Sequence, residues 1–124
     1  MPTAMTIRAG EVTLAAELNE SETARAITSA LPIRAAAQRW GKEIYFPIPV
    51  EAGPEAGARE VVEKGTLGYW PVGRAFCLFW GATPASQGDE IRAASAVNII
   101  GRMLGDLAQL NDIGDGVEIV IEKG

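Results

Sequence analysis

Two features of the composition limit the side chains available for catalysis or ligand binding. The 124-residue chain contains no histidine and a single cysteine, Cys77. These counts exclude Ser-His-Asp and Cys-His catalysis, histidine-containing zinc sites and an intrachain disulfide. Cys77 lies in the apolar run from Phe76 to Phe79, which predicts a buried, unreactive thiol. Any chemistry must therefore use carboxylates, arginine, lysine, tyrosine, hydroxyl groups or the terminal amine, and we expect no metal and no cofactor.

A carboxylate and a phenol stand two residues apart in a predicted strand. Glu43 and Tyr45 should lie on one face, because alternate residues of a strand point to the same side. With Trp40 just before them, they could bind a ligand, and the Glu43–Tyr45 pair could transfer protons. The alternative is that Glu43 is a solvated surface residue, as glutamates on strands usually are.

The segment from Gly68 to Arg74 is a second candidate binding region. Tyr69 and Trp70 could wall an apolar pocket, with a hydroxyl or an indole donor at its mouth. Because adjacent strand residues point to opposite faces, only one of them can face a given cleft, and both could instead be packing residues. Arg74, in the turn that follows Pro71, could bind a carboxylate or remain solvated.

The hydrophobic pattern predicts seven or eight short strands and one main helix. Residues 5–18 alternate as two short strands or a hairpin, and Ser21–Leu31 forms a helix that Asn19 caps and Pro32 ends. Without alternation of strands and helices, this order favours an antiparallel barrel or sandwich plugged by the helix. Further strands are predicted within residues 33–40, 43–46, 67–70, 75–80, 97–103 and 117–122, loops at 52–58 and 83–94, and a helical turn at 106–110, with 59–64 ambiguous.

Charge and length exclude several classes of protein. The net charge is −5, and 11 basic residues are scattered among 16 acidic ones, which argues against nucleic-acid binding. No apolar stretch approaches the roughly 20 residues that cross a bilayer, and the first residues lack the pattern of a signal peptide. We therefore expect a cytoplasmic protein with no membrane partner, folded as a single domain over residues 1–124.

Several motifs resemble the small bacterial and archaeal cyclophilin-like proteins of unassigned function. The resemblance runs from about Met5 to the C-terminus. It implies a mainly β protein, a compact closed antiparallel barrel of the cyclophilin type with one main helix and a short helical turn. The motifs are Asn19–Pro32, Trp40–Phe46, Gly68-Tyr69-Trp70-Pro71-Val72-Gly73, Cys77-Leu78-Phe79-Trp80-Gly81-Ala82-Thr83-Pro84 and Val97–Gly101.

The resemblance does not carry an activity with it. True cyclophilins place a catalytic arginine on one strand and a Phe-Met-x-Gln-Gly-Gly run on the next, around a pocket for proline. That run is missing here, although Arg34 or Arg39 stands near the equivalent region. We therefore predict a domain that binds a small molecule or an extended peptide in an aromatic-walled cleft. A peptidyl-prolyl isomerase or another small metal-free enzyme is the alternative. The residues expected at the cleft are Trp40, Glu43, Tyr45, Tyr69, Trp70 and Arg74.

Overall fold

A computed structural model describes residues 2–124, which form ten strands, one α-helix and a short 3-10 helix. This mainly β content agrees with the sequence prediction. Within residues 2–124, no helix is long and apolar enough to cross a membrane. Helix α1 (Glu22–Ala30) follows the second strand, and the 3-10 helix (Leu107–Asp112) follows the ninth. The strands are β1 (Thr3–Ala9), β2 (Val12–Leu18), β3 (Ile33–Ala36), β4 (Gln38–Arg39), β5 (Glu43–Pro47), β6 (Arg59–Val62), β7 (Thr66–Trp70), β8 (Ala75–Phe79), β9 (Ile91–Leu104) and β10 (Glu118–Lys123).

The strands form one antiparallel sheet that has two free ends. Its order is β3-β10-β1-β2-β9-β7-β8-β5-β4, and β6 pairs with β9 outside this order. At one end β3 pairs with β10, and at the other end β4 pairs with β5. Across residues 2–124 no ladder joins these two ends, so the sheet is open. The closed barrel predicted from the sequence is therefore wrong.

The sheet opens at Ala37, the residue between β3 and β4. The alternation of residues 33–40 predicted one continuous strand, which could have paired on both sides. Instead, the Ala37 N–H donates to the Val117 carbonyl at 2.8 Å, and the Ala37 carbonyl accepts from the Gly116 N–H at 2.8 Å. Because these bonds engage both backbone groups of Ala37, the chain beyond it retains only the two residues of β4 for pairing with β5.

Helix α1 lies within the predicted range, but its cap is a different residue. The Ser21 hydroxyl accepts from the Ala24 N–H at 3.2 Å, so Ser21 is the N-cap and the prediction of Asn19 was wrong. Asn19 Oδ1 accepts from the Ser21 N–H at 3.0 Å, and Asn19 Nδ2 donates to the Ile99 carbonyl at 2.9 Å. Asn19 therefore shapes the turn before the helix and ties it to β9. The helix ends before Pro32, as predicted.

The main hydrophobic core lies on one face of the sheet, here called the inner face. Alternate residues of the strands point into it, as the period of two requires. Helix α1 closes this core with Ala24 and Ile27, which are fully buried. Its largest fully buried side chains from the strands are Tyr69, Phe46, Phe76, Met5, Ile7, Leu18, Ile44, Leu67, Leu78 and Ile100.

A two-stranded ribbon of β6 and the first half of β9 packs against the opposite, outer face. From the ribbon, Val62 and Val97 pack with Cys77 and Phe79 of β8, which form a second, smaller core. Gly68 of β7 allows the close approach, because a Cβ there would lie 2.9 Å from Val97 Cγ2. This second core explains why β8 is apolar on both faces. The second half of β9 leaves the ribbon and pairs with β7 and β2.

Most of the other predicted strands, loops and turns are present in the structure, although several begin or end at residues different from those predicted. Residues 52–58 form a loop, as predicted, and the ambiguous residues 59–64 contain β6. The predicted helical turn at 106–110 corresponds to the 3-10 helix, whose N-cap is Asp106. The predicted loop at 83–94 was too long, because β9 already begins at Ile91.

Candidate functional site

A cavity of about 220 Å³ lies between the ribbon and the outer face of the sheet. The sheet contributes side chains of β5 and β7, the ribbon contributes β9, and the turn before β5 contributes a tryptophan. Three aromatic rings, one carboxyl group and three small apolar side chains form its wall. These are Trp40, Glu43, Tyr45, Trp70, Ala93, Ala94 and Val97.

A tight turn positions Trp40 and Glu43 at this cavity. The Trp40 N–H donates to the Glu43 carbonyl at 2.9 Å, and the Glu43 N–H donates to the Trp40 carbonyl at 3.1 Å. Gly41, inside the turn, has φ 62°, and a Cβ there would lie 2.8 Å from the Ala82 carbonyl oxygen. Glycine is therefore required both for the backbone conformation and for the close contact with residue 82.

Trp70 forms a wall of the cavity that is fixed by three contacts. Its indole Nε1–H donates to Ser95 Oγ on β9 at 2.6 Å. Gly73 packs directly against the ring, where an added Cβ would lie 2.6 Å from Cε3. Tyr45 meets the ring edge to face, with 6.4 Å between the ring centroids, a favourable arrangement of aromatic quadrupoles. These three contacts fix the position of the Trp70 ring.

Replacing Ser95 by alanine should loosen this wall. The variant Ser95→Ala removes the acceptor of the Trp70 indole, and we expect the free energy of unfolding to fall by about 1 kcal/mol. We also expect faster hydrogen exchange at Trp70 Nε1. Urea unfolding and NMR of the indole N–H signals measure the two effects. The control is Ser29→Ala, on the exposed side of α1. Equal stability losses in both variants, or unchanged exchange at Trp70, would contradict the assignment.

The Glu43 carboxyl group is buried beside the rings with one oxygen unpaired. The residue is 5% exposed, and its Oε1 has no hydrogen-bond partner among residues 2–124. Burial raises the pKa of Glu43 to about 7, and the neighbouring Cys77 thiol opposes part of that rise. A buried oxygen without a partner costs about 1–3 kcal/mol. A residue needed only for packing would be apolar at this position, so packing does not explain the carboxyl group.

Cys77 lies next to Glu43 on the outer face but is not a nucleophile. In the ladder of β5 and β8, Glu43 pairs with Phe79 and Tyr45 pairs with Cys77. Burial, reinforced by the neighbouring Glu43 carboxyl, raises the pKa of the Cys77 thiol well above its ordinary value. Because the thiolate is the reactive form, this thiol stays neutral and unreactive. The predicted burial of Cys77 is confirmed.

The structure brings four of the six sequence-predicted site residues to one cavity. Glu43 and Tyr45 share a face, as the alternation predicted, and Trp40 and Trp70 join them. The alternative hypothesis of a solvated Glu43 is wrong, because the residue is 5% exposed.

The other two predicted residues lie away from the cavity. Tyr69 points to the inner face, where its hydroxyl donates to the Val50 carbonyl at 2.7 Å and accepts from the Ala52 N–H at 3.2 Å. It therefore holds the loop after β5 in place. Arg74 lies in the exposed turn between β7 and β8, with φ 49° and an ion pair to Glu51 at 3.6 Å.

The two other arginines considered from the sequence also lie elsewhere. Arg34 is exposed on β3 and pairs with Glu118 at 3.1 Å. Arg39 lies over the Trp80 ring, 4.9 Å from its centroid, and donates to the Ile113 carbonyl at 2.8 Å. Both have structural partners, and neither lines the cavity.

Sequence reasoning missed the ribbon side of the cavity. Ala93 and Ala94 fell in a predicted loop, and Val97 and Ser95 were given no role at the site. The alternation of Ile91 with Ala93 could have indicated a strand that begins before residue 97. The apolar outer face of β8 indicated that some element covers it, but nothing in the sequence identified that element.

Comparison with known proteins assigns the chain to a family. The family model described as cyclophilin-like matches residues 3–122. The chain belongs to the cyclophilin-like family. The resemblance inferred from the sequence motifs is therefore confirmed. The cyclophilin-like protein is also similar to the hypothetical protein AF2241 from Archaeoglobus fulgidus, known from a solution structure. The two chains are 42% identical, the match covers 99% of this chain and 95% of that chain, and the TM-score is 0.84. No curated protein matches the sequence.

Proposed function

We propose that this cyclophilin-like protein binds a small organic molecule in the cavity between the ribbon and the sheet. The observation that carries the proposal is the unpaired Oε1 of Glu43, buried beside three aromatic rings. Nearly all buried polar groups in proteins have a hydrogen-bond partner. A ligand N–H or O–H placed in the cavity would supply the missing partner, while the rings would pack against the rest of the ligand.

The size of the cavity favours a small molecule over an extended peptide. An apolar protein cavity of roughly 150 Å³ accommodates benzene. The volume of about 220 Å³ therefore suits one ring with a short substituent. The net charge of −5 supports a small molecule over a nucleic acid as the partner.

Proton transfer at Glu43 is a second candidate function. A pKa near 7 suits a general acid or base at neutral pH, and Tyr45 stands beside it with a phenolic hydroxyl. Prolyl isomerisation has less support, because the cavity lining contains no arginine to polarise the amide carbonyl.

The test of binding uses the three tryptophans as internal reporters. Trp40 and Trp70 line the cavity, whereas Trp80 Nε1 donates to Asn111 at 2.8 Å elsewhere in the molecule. A panel of ring-sized probes, namely indole, phenol, benzyl alcohol, benzylamine and benzoate, is titrated into the ¹⁵N-labelled protein. We expect at least one probe to shift the indole N–H signals of Trp40 and Trp70 and to leave that of Trp80 unchanged.

A variant that fills the cavity provides the control. Ala94 is exposed at the rim, so Ala94→Phe can place a ring in the cavity without disturbing either core. We expect this variant to lose the shifts and Ala108→Phe, on the exposed side of the 3-10 helix, to keep them. The proposal fails if no probe shifts the two signals, or if the shifts survive in Ala94→Phe.

A further inference from the structure

We infer that the ligand is an organic cation, a protonated amine or amidinium whose N–H donates to Glu43 and whose hydrocarbon part packs among the aromatic rings. The inference rests on the proposed binding function and adds the chemical class of the ligand. An ionised carboxylate can only accept hydrogen bonds, and a charged donor makes the stronger bond to it. The unpaired Oε1 of Glu43 is thus matched best by a cationic N–H group.

The protein itself supplies no cation to this carboxyl group. No salt bridge to Glu43 is present in the part of the chain that the structure describes, residues 2–124. The ribbon carries two arginines: Arg92 is engaged by Glu60 at 3.0 Å and Glu90 at 2.6 Å, and Arg59 is exposed and forms no part of the cavity lining. Lys42 is exposed, and its stem packs along Gly81. The charge that would balance Glu43 must therefore come from outside the chain.

The walls of the cavity favour the same class of ligand. The faces of Trp and Tyr rings carry negative electrostatic potential, which attracts ammonium and guanidinium groups. Trp40, Tyr45 and Trp70 supply three such rings, and Ala93 and Val97 offer apolar contact for a hydrocarbon part. An anionic ligand would meet the Glu43 carboxyl group with no basic side chain in the lining to offset the repulsion.

Ligand charge and the ionisation of Glu43 should be coupled. The titratable groups facing Glu43 are the neutral Cys77 thiol from β8 and the Tyr45 phenol from β5 itself. Trp70 of β7 and Ala93 and Val97 of β9, which line the same cavity, are uncharged. Burial holds the pKa of Glu43 at about 7, so a cation must displace the proton that the carboxyl group carries at lower pH. Affinity for a cation should therefore rise with pH.

A matched pair of probes tests this inference. Benzylamine, a cation, and benzyl alcohol, a neutral molecule of nearly the same shape, are titrated at pH 6 and pH 8 while the Trp70 indole signal is followed. We expect benzylamine to bind at least tenfold more tightly than benzyl alcohol at pH 8. Its affinity should rise about tenfold from pH 6 to pH 8, because the ionised fraction of a carboxyl group with pKa about 7 rises from roughly one tenth to nine tenths. Benzyl alcohol should show little pH dependence.

Two variants separate failure of this inference from failure of the proposed function. Glu43→Gln should remove both the preference for benzylamine and its pH dependence, whereas Glu63→Gln, at an exposed position after β6, should retain both. Benzyl alcohol binding as well as benzylamine, with shifts at Trp70, would overturn the cation inference and leave the binding function standing. A preference for benzylamine that persists in Glu43→Gln would also overturn it. Absence of binding by every probe would overturn both proposals.

Discussion

Replacing Glu43 by glutamine should change how the stability of this protein depends on pH. Between pH 4.5 and about pH 8, the free energy of unfolding of the wild type should fall by roughly 3 kcal/mol relative to that of Glu43→Gln. The carboxyl group has an ordinary pKa of 4.5 in the unfolded chain and a pKa of about 7 when folded. Between these values the folded state retains a proton that the unfolded state has released, so stability falls by about 1.4 kcal/mol per pH unit. Below the lower value both states are protonated, and above the upper value both are ionised, so the difference is constant there.

Urea unfolding at a series of pH values measures this effect. The exposed Glu63 provides the control, since Glu63→Gln should give a curve parallel to that of the wild type. Parallel curves for Glu43→Gln and the wild type would show that burial of Glu43 carries no cost, and would remove the main support for a site at this residue. At neutral pH we expect Glu43→Gln to be the more stable protein. A residue that lowers the stability of its own fold is typical of a functional position.

Replacing Asn98 by leucine should cost the protein about 3 kcal/mol of unfolding free energy. Asn98 is fully buried on the inner face of β9. Its Nδ2 donates to Thr23 Oγ1 at 3.1 Å and to the Gly53 carbonyl at 3.0 Å, and its Oδ1 accepts from the Glu55 N–H at 2.8 Å. The Glu55 carboxylate in turn accepts from the N–H and the hydroxyl of Thr23 in the first turn of α1. Leucine has a similar size but leaves all three bonds of Asn98 unmade.

The same substitution should loosen the loop that Asn98 holds. We expect faster amide exchange at Glu55 and Thr23, because both lose the network that fixes the loop at residues 52–58 to α1. Asn111→Leu is the comparison, since the exposed Asn111 makes one side-chain bond, to Trp80, and should cost about 1 kcal/mol. Equal losses for the two variants, with unchanged exchange at Glu55, would contradict this account. Thermal or urea unfolding with hydrogen exchange by NMR measures both quantities.

Asn98 also shows how closely the two cores are linked. Val97, the residue before it, points to the outer face, where it packs in the second core and lines the cavity. Asn98 points to the inner face and bonds to the loop and the helix. Two adjacent residues of β9 therefore contact different parts of the protein: Asn98 contacts the loop and the helix on the inner face, and Val97 contacts the candidate site on the outer face.

Local pattern predicted a large part of the candidate site. The period of two along a strand correctly predicted that Glu43 and Tyr45 share a face and that Tyr69 and Trp70 do not. It could not predict which face was covered. Most glutamates on strands are exposed, which favours a solvated Glu43, yet the residue is buried at the cavity between the sheet and the ribbon. The burial of Glu43 depends on residues of β9, which are distant in the sequence. The local pattern around residue 43 does not predict such contacts.

The sequence by itself determined the elements whose causes are local, and the family. Pro32 ends the helix, alternation places Glu43 and Tyr45 on one face, and the motifs identify a cyclophilin-like protein. Only the tertiary structure decided that the sheet opens at Ala37, because hydrogen bonds to residues 116 and 117 engage its backbone. The tertiary structure also determined that β9 leaves the ribbon near Val97. This change of pairing partner encloses the cavity in which Oε1 of Glu43 has no hydrogen-bond partner among residues 2–124. Strand pairing and burial are set by contacts between distant segments, whereas alternation and the end of the helix before Pro32 are set by neighbouring residues.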